Sequence, residues 1–169
     1  MMEIYLYFRS WFSPFIWVLF YKRRKLKNFG NSQYNALLRA TTLADASRII
    51  NSMGYRYDHF RGLIDATIPF KYAEYFFSPL KFGRDCDDFA RMWTIWGEKH
   101  GYKATEVAVT DKWFKKAHMF TVLAKGDEYV LCDYTVQGIS RRYGDALAFI
   151  GERYDNPMFV VYNHKRELF

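Results

Sequence analysis

An α+β domain is the fold class this sequence predicts, on three observations. The apolar residues Phe89, Met92, Trp93 and Trp96 fall at i, i+3, i+4 and i+7, the stripe of one buried helix. Directly afterwards the period changes from helical to two, as Thr105, Val107 and Val109 alternate with Ala104, Glu106 and Ala108. Two further apolar runs, His118 to Ala124 and Glu128 to Tyr134, flank Lys125-Gly126-Asp127, where the glycine can supply the positive φ of a hairpin turn. A core helix followed by consecutive antiparallel strands is an α+β plan. The length of 169 residues suits a single domain with its own core, and 50% hydrophobic residues with only four prolines exclude a disordered chain.

The elements read in order as follows. Residues 1–30 form an N-terminal arm that pairs an aromatic stretch, Trp11 to Tyr21, with the basic run Lys22-Arg23-Arg24-Lys25-Leu26-Lys27. A spanning helix needs ~20 apolar residues. Glu3, Arg9 and Pro14 leave too short a run, and positive charge after the apolar stretch instead of before it does not fit a signal peptide. The arm is expected to pack its aromatics on the domain while the Lys and Arg heads stay solvated. Its second reading is an interfacial anchor, with Trp and Phe among headgroups and the basic run on anionic lipid.

The rest of the chain, 31–169, is read as the catalytic domain. Asn31 to Gly54 has helical periodicity, clearest where Thr42 precedes Leu43, with Asp45 three residues on, and where Leu43, Ala46, Ile49, Ile50 and Met53 recur at helix spacing before Gly54. Tyr55 to Phe82 is rich in aromatics and broken by Gly62, Pro69 and Pro79, a region of loops and short helices. The core helix then runs from Cys86 to about His100-Gly101, and the three strands follow. A short helix near Asp145 to Glu152 and a strand Met158 to Tyr162 close the chain.

The formal charge of +7 suggests a polyanionic partner until it is divided along the chain. Residues 1–48 hold eight basic side chains against Glu3 and Asp45, a balance of +6, which leaves +1 for the remaining 121 residues. Basicity therefore belongs to the arm, and the basic hexamer comes with no nucleic-acid recognition motif. Two cysteines cannot build a disulfide framework, so a reducing, cytoplasmic compartment is expected. Cys132, inside Tyr-Val-Leu-Cys-Asp-Tyr, reads as a buried thiol on a strand.

The other cysteine carries the chemistry. Cys86 lies in Gly-Arg-Asp-Cys-Asp-Asp-Phe-Ala at the mouth of the core helix, His118 opens one strand pattern, and Asp133 ends the next. The separations of 32 and 15 residues are too long for a local turn, so only a fold could join the three. In a triad, Cys86 would be the nucleophile. A thiol of pKa about 8.5 needs help to ionise, and the helix N-terminus together with a His118 imidazolium would provide it. Asp133 would orient the ring through its second nitrogen. Asp85, Asp87 and Asp88 oppose ionisation, which makes His118 indispensable. The backbone N–H of Cys86 is the first candidate for an oxyanion donor, and Tyr75 is a candidate for the second. A metal at Asp-Cys-Asp-Asp is not expected, because carboxylates in a first helical turn are explained as caps. His100 reads as a helix-terminus residue, His59 lies in the aromatic loop region, and His164 in the tail.

Three blocks carry a resemblance: Gly83-Arg-Asp-Cys86-Asp-Asp-Phe-Ala, Ala117-His118-Met-Phe-Thr-Val-Leu and Val130-Leu-Cys-Asp133-Tyr. They resemble the motifs of the transglutaminase-like superfamily, circularly rearranged relatives of papain, and particularly its bacterial and phage cysteine peptidases. Tyr57-Asp58, Gly62, Asp65 and Pro69 are similar to the lead-in of those proteins, so the resemblance covers roughly Tyr55 to Tyr134. The departure is Arg84, where the family often has glycine two residues before the cysteine. The resemblance implies a papain-like α+β fold, a core helix with Cys86 packed on an antiparallel sheet with His118 and Asp133, and thioester chemistry without a cofactor. The expected activity is acyl transfer on amide bonds of a protein or peptide, by a peptidase, deamidase or transglutaminase. The alternatives are a catalytically silent binding module of the same fold and a membrane-surface adaptor working through the arm.

Overall fold

The computed structural model describes residues 32–55, 85–111 and 117–162. Their elements are α1 (Ser32–Arg39), α2 (Leu43–Asn51), α3 (Cys86–Lys99), β1 (Lys103–Thr110), β2 (Ala117–Lys125), β3 (Glu128–Cys132), β4 (Val136–Ser140), α4 (Tyr143–Gly151) and β5 (Met158–Tyr162). The class is α+β, with the five strands in one antiparallel sheet of order β4-β3-β2-β1-β5. The arm, the aromatic stretch with Tyr75, Gly83 and Arg84, and both His59 and His164 lie outside the described residues.

Local chemistry sets the element ends. The helical stretch after Asn31 is two helices, because Thr42 caps the second: its Oγ1 accepts the Asp45 N–H at 3.1 Å and donates to Asp45 Oδ2 at 2.8 Å. Gly54, at φ +67°, lets the chain leave α2 through the left-handed region. Lys125↔Glu128 closes the expected hairpin, with Gly126 at φ +58°. Strand β3 is shorter than its apolar run, ending at Cys132, because the Asp133 N–H turns back to the Thr135 carbonyl at 3.0 Å. That turn sends Val136–Ser140 back along β3, a fifth strand the sequence reading does not contain. Its residues are mostly exposed and lack an apolar period, so nothing in the pattern announces it. The last helix starts at Tyr143, two residues before the expected Asp145, and β5 matches its expected bounds.

The sheet separates two apolar clusters. One joins Leu37, Ala46 and Ile50 of the first two helices to Phe89, Met92, Trp93 and Trp96 of α3 and to Leu123, Val130 and Cys132. The other joins Val107, Val109, Phe120, Val122 and Leu131 to Ala146 and Ile150 of α4. The expected stripe of α3 is buried, and so is most of its remaining surface, including Asp87, Asp88, Arg91 and Thr94. Arg91 Nε donates to Glu106 Oε1 of β1 at 2.9 Å, Thr121 of β2 donates to the Ala90 carbonyl at 2.7 Å, and Gly97 backs onto Leu123. The contacts advance in step along both elements, so α3 and β2 run in the same direction. Two indoles tie the helix to its surroundings: Trp96 Nε1 donates to the Ala40 carbonyl at 2.7 Å and Trp93 Nε1 to the Asp133 carbonyl at 3.0 Å. Among the described residues no helix is long and apolar enough to cross a membrane.

Candidate active site

Cys86 is the first residue of α3 and is itself partly exposed, although the helix that follows is buried. The first α-helical bond of this turn runs from the Phe89 N–H to the Asp85 carbonyl, so the N–H groups of Cys86, Asp87 and Asp88 precede the intrahelical ladder. Asp85 occupies the N-cap without making a side-chain cap bond. Donor atoms of Asp85, Cys86 and Asp87 lie within 4.8 Å of one another, a concentration of acidity that works against a thiolate.

His118 is the second residue of β2, and Asp133 is the first residue beyond β3. Because β2 and β3 are hydrogen-bonded neighbours, the two approach across the strand pair, and His118 Nε2 meets Asp133 Oδ1 at 2.7 Å. The side chains are 13% and 4% exposed, so water competes little for this bond. A carboxylate only accepts, so the shared proton belongs to Nε2 and Nδ1 is the nitrogen through which His118 would exchange a proton with a thiol. Asp133 is held from three more directions. Its Oδ1 also accepts the Tyr134 N–H at 2.9 Å, its Oδ2 faces Arg153 Nη1 at 3.5 Å, and its carbonyl takes the Trp93 indole.

The helix mouth and this pair share one end of the sheet. From the Ala90–Thr121 contact, Cys86 lies one helical turn back, about 6 Å along α3, and His118 three residues back, about 10 Å along β2. Strand alternation sets His118 in the row of Val109 and Phe120, on the face away from α3, so the imidazole and the cysteine can meet only around the sheet end. Two aromatic groups stand there. Tyr134 lies edge-on to Phe89 of α3 at 5.1 Å and 5.5 Å from the His118 ring, forming a row from the cysteine helix to the histidine. Its phenol is pushed well above the ordinary value of 10.0, by burial first and then by the negative charges of Cys86 and Asp133. Tyr154, which follows α4, is pushed up to about 12 by burial first, then by Cys86 and Asp133, with Arg153 partly offsetting them. Both phenols thus feel Cys86 and Asp133 together.

Cys132 is fully buried, and burial drives its thiol far above the usual range, with Asp133 adding to the shift. It is an inert core thiol, as expected. His100 caps the C-terminus of α3, its Nδ1 2.8 Å from the Trp96 carbonyl and its ring stacked on Trp96. Sequence reasoning missed Tyr134, Tyr154 and Arg153. Only Tyr134 carried a signal, its place beside Asp133; the other two reach the site through the packing of α4 on the sheet. No family model, curated protein or solved structure matches this chain.

Proposed function

We propose that the protein is a cysteine-dependent acyl-transfer enzyme of the transglutaminase-like, papain-like class, acting on amide bonds of a protein or peptide. The observation that carries the reading is the nearly buried His118–Asp133 hydrogen bond at the end of the sheet where α3 opens with Cys86. A histidine with its tautomer fixed by a buried carboxylate is an arrangement that proton transfer needs and that packing does not. In the reaction, His118 Nδ1 takes the thiol proton, and the Cys86 sulfur attacks the amide carbonyl. The tetrahedral oxyanion is stabilised by backbone N–H groups of the first turn of α3, and imidazolium protonates the leaving amine as the C–N bond breaks. Water, or a second amine, then attacks the thioester with His118 as base, releasing the acid or the new amide and restoring the thiol. The neighbouring carboxylates raise the cost of the thiolate, which places the burden of activation on His118.

The test is alkylation of Cys86 by iodoacetamide in the full chain, followed by peptide mass spectrometry. Cys86 is expected to react well below pH 8, and His118→Ala to slow that reaction by roughly a hundredfold, the lower end of general-base effects. A Cys86 that reacts like a free thiol and ignores His118→Ala overturns the proposal.

A further inference from the structure

Asp133 has two carboxylate oxygens, and the structure treats them differently. Oδ1 accepts from His118 Nε2 at 2.7 Å and from the Tyr134 N–H at 2.9 Å. Oδ2 has Arg153 Nη1, at 3.5 Å, as its partner among the described residues. The carboxylate is nearly buried whereas the Arg153 side chain is 47% exposed, so the guanidinium reaches in from the rim. Its approach is built into the fold. Arg153 leaves the end of α4 with its N–H on the Ile150 carbonyl at 3.1 Å, and its guanidinium carbon lies 5.2 Å from the centre of the Phe149 ring. Gly151 allows that end of the helix to approach β5, since a Cβ there would stand 3.2 Å from the Phe159 ring.

We propose that Arg153 is a positioning residue for the site: by holding Oδ2 of Asp133 it turns Oδ1 toward His118 and keeps the imidazole in the Nε2–H tautomer. The inference rests on the acyl-transfer reading for its consequence in catalysis, and on geometry alone for its effect on the His118–Asp133 bond. A carboxylate fixed at one oxygen only can swing about the Cα–Cβ and Cβ–Cγ bonds, and a bond across two strands tolerates little swing. Arginine suits the task because its planar fork stays charged and can lie on an aromatic ring while donating from its edge. The contact is long, and its guanidinium stays half in water, which screens the pair, so it contributes little to folding. Arg153 therefore separates positioning from stability.

The experiment compares the parent chain with Arg153→Lys and Arg153→Ala. One readout is the Nε2–H proton of His118 in selectively labelled protein, whose exchange with water reports the His118–Asp133 bond. The other is the rate of Cys86 alkylation by iodoacetamide at neutral pH. With Arg153→Ala, the Nε2–H proton should exchange at least severalfold faster, and alkylation should fall roughly tenfold, less than the hundredfold of a 1 Å misplacement. Arg153→Lys should fall between Arg153→Ala and the parent for both, since a charged donor is retained without the planar fork. Unchanged Nε2–H exchange in Arg153→Ala overturns the proposal whatever the alkylation shows. Faster exchange with undiminished alkylation of a reactive Cys86 overturns its catalytic part. A Cys86 already unreactive in the parent defeats the acyl-transfer reading, and the exchange data then decide on Arg153 alone.

Discussion

Asp133 shows how much of a site one residue can organise. Its carbonyl anchors the core helix through Trp93, one carboxylate oxygen holds His118, and the other meets Arg153. Asp133→Asn should lower turnover less than Cys86→Ala or His118→Ala, because an amide oxygen can still accept from Nε2–H; assays of all three on one peptide substrate check the order. The two raised phenols give a second outcome at this scale. In the unfolded chain a tyrosine ionises near 10.0, while folded Tyr154 holds its proton to about 12. The raised value contributes stability that is complete below pH 10 and is lost as pH rises from there toward 12, since only the unfolded phenol gains by ionising. Tyr154→Phe should flatten the decline of melting temperature across that alkaline window and leave it unchanged at neutral pH relative to its own plateau.

Helix α3 is the element on which everything else is registered. Trp96 is 1% exposed, packs edge-on to Trp93 at 5.9 Å and hydrogen-bonds the Ala40 carbonyl, so it joins the helical layer to the core helix. Trp96→Ala should cost on the order of 3 to 5 kcal/mol, read from denaturant unfolding, and should abolish activity by unfolding. The opposite flank of α3 is held by charge. Arg91 and Glu106 are both essentially inaccessible, and the guanidinium makes two contacts with the carboxylate, at 2.9 and 3.3 Å. Glu106→Gln removes the negative charge that these two contacts place against a buried guanidinium and should destabilise by about 3 to 5 kcal/mol. Its effect should be insensitive to salt, because water and ions do not reach the pair. A strand alternation with Glu106 in it would ordinarily set that residue in solvent; Arg91 on the facing helix is what brings it inside.

For the whole molecule, the division of charge is the organising fact: +6 resides in the first 48 residues and +1 in the rest. Chemistry assigned to Cys86, His118 and Asp133 draws on none of the basic run, so deleting residues 1–27 should leave the rate of Cys86 alkylation within about twofold, the scatter of changes that do not couple to the site. Under the packing expectation the truncated chain melts at a lower temperature. Unchanged melting with loss of binding to anionic vesicles would instead mark the arm as a lipid contact.

Elements that local rules govern can be read directly from the order of residues. A 3.6-residue stripe identified α3, a two-residue alternation identified β1, apolar runs either side of Gly126 identified β2 and β3 as a hairpin, and Thr42 and Gly54 bounded α2, because each depends on side chains a few residues apart. The three residues of the candidate site were legible for the same reason, as a helix mouth and two strand ends. Tertiary structure alone decided which of them meet. It paired His118 with Asp133 through the β2–β3 register, folded Val136–Ser140 back as an edge strand, buried Glu106 against Arg91, and delivered Arg153 and Tyr154 from beyond α4. None of these has a local signature, since each depends on the direction in which a distant element crosses the sheet, and a sequence window does not contain that direction.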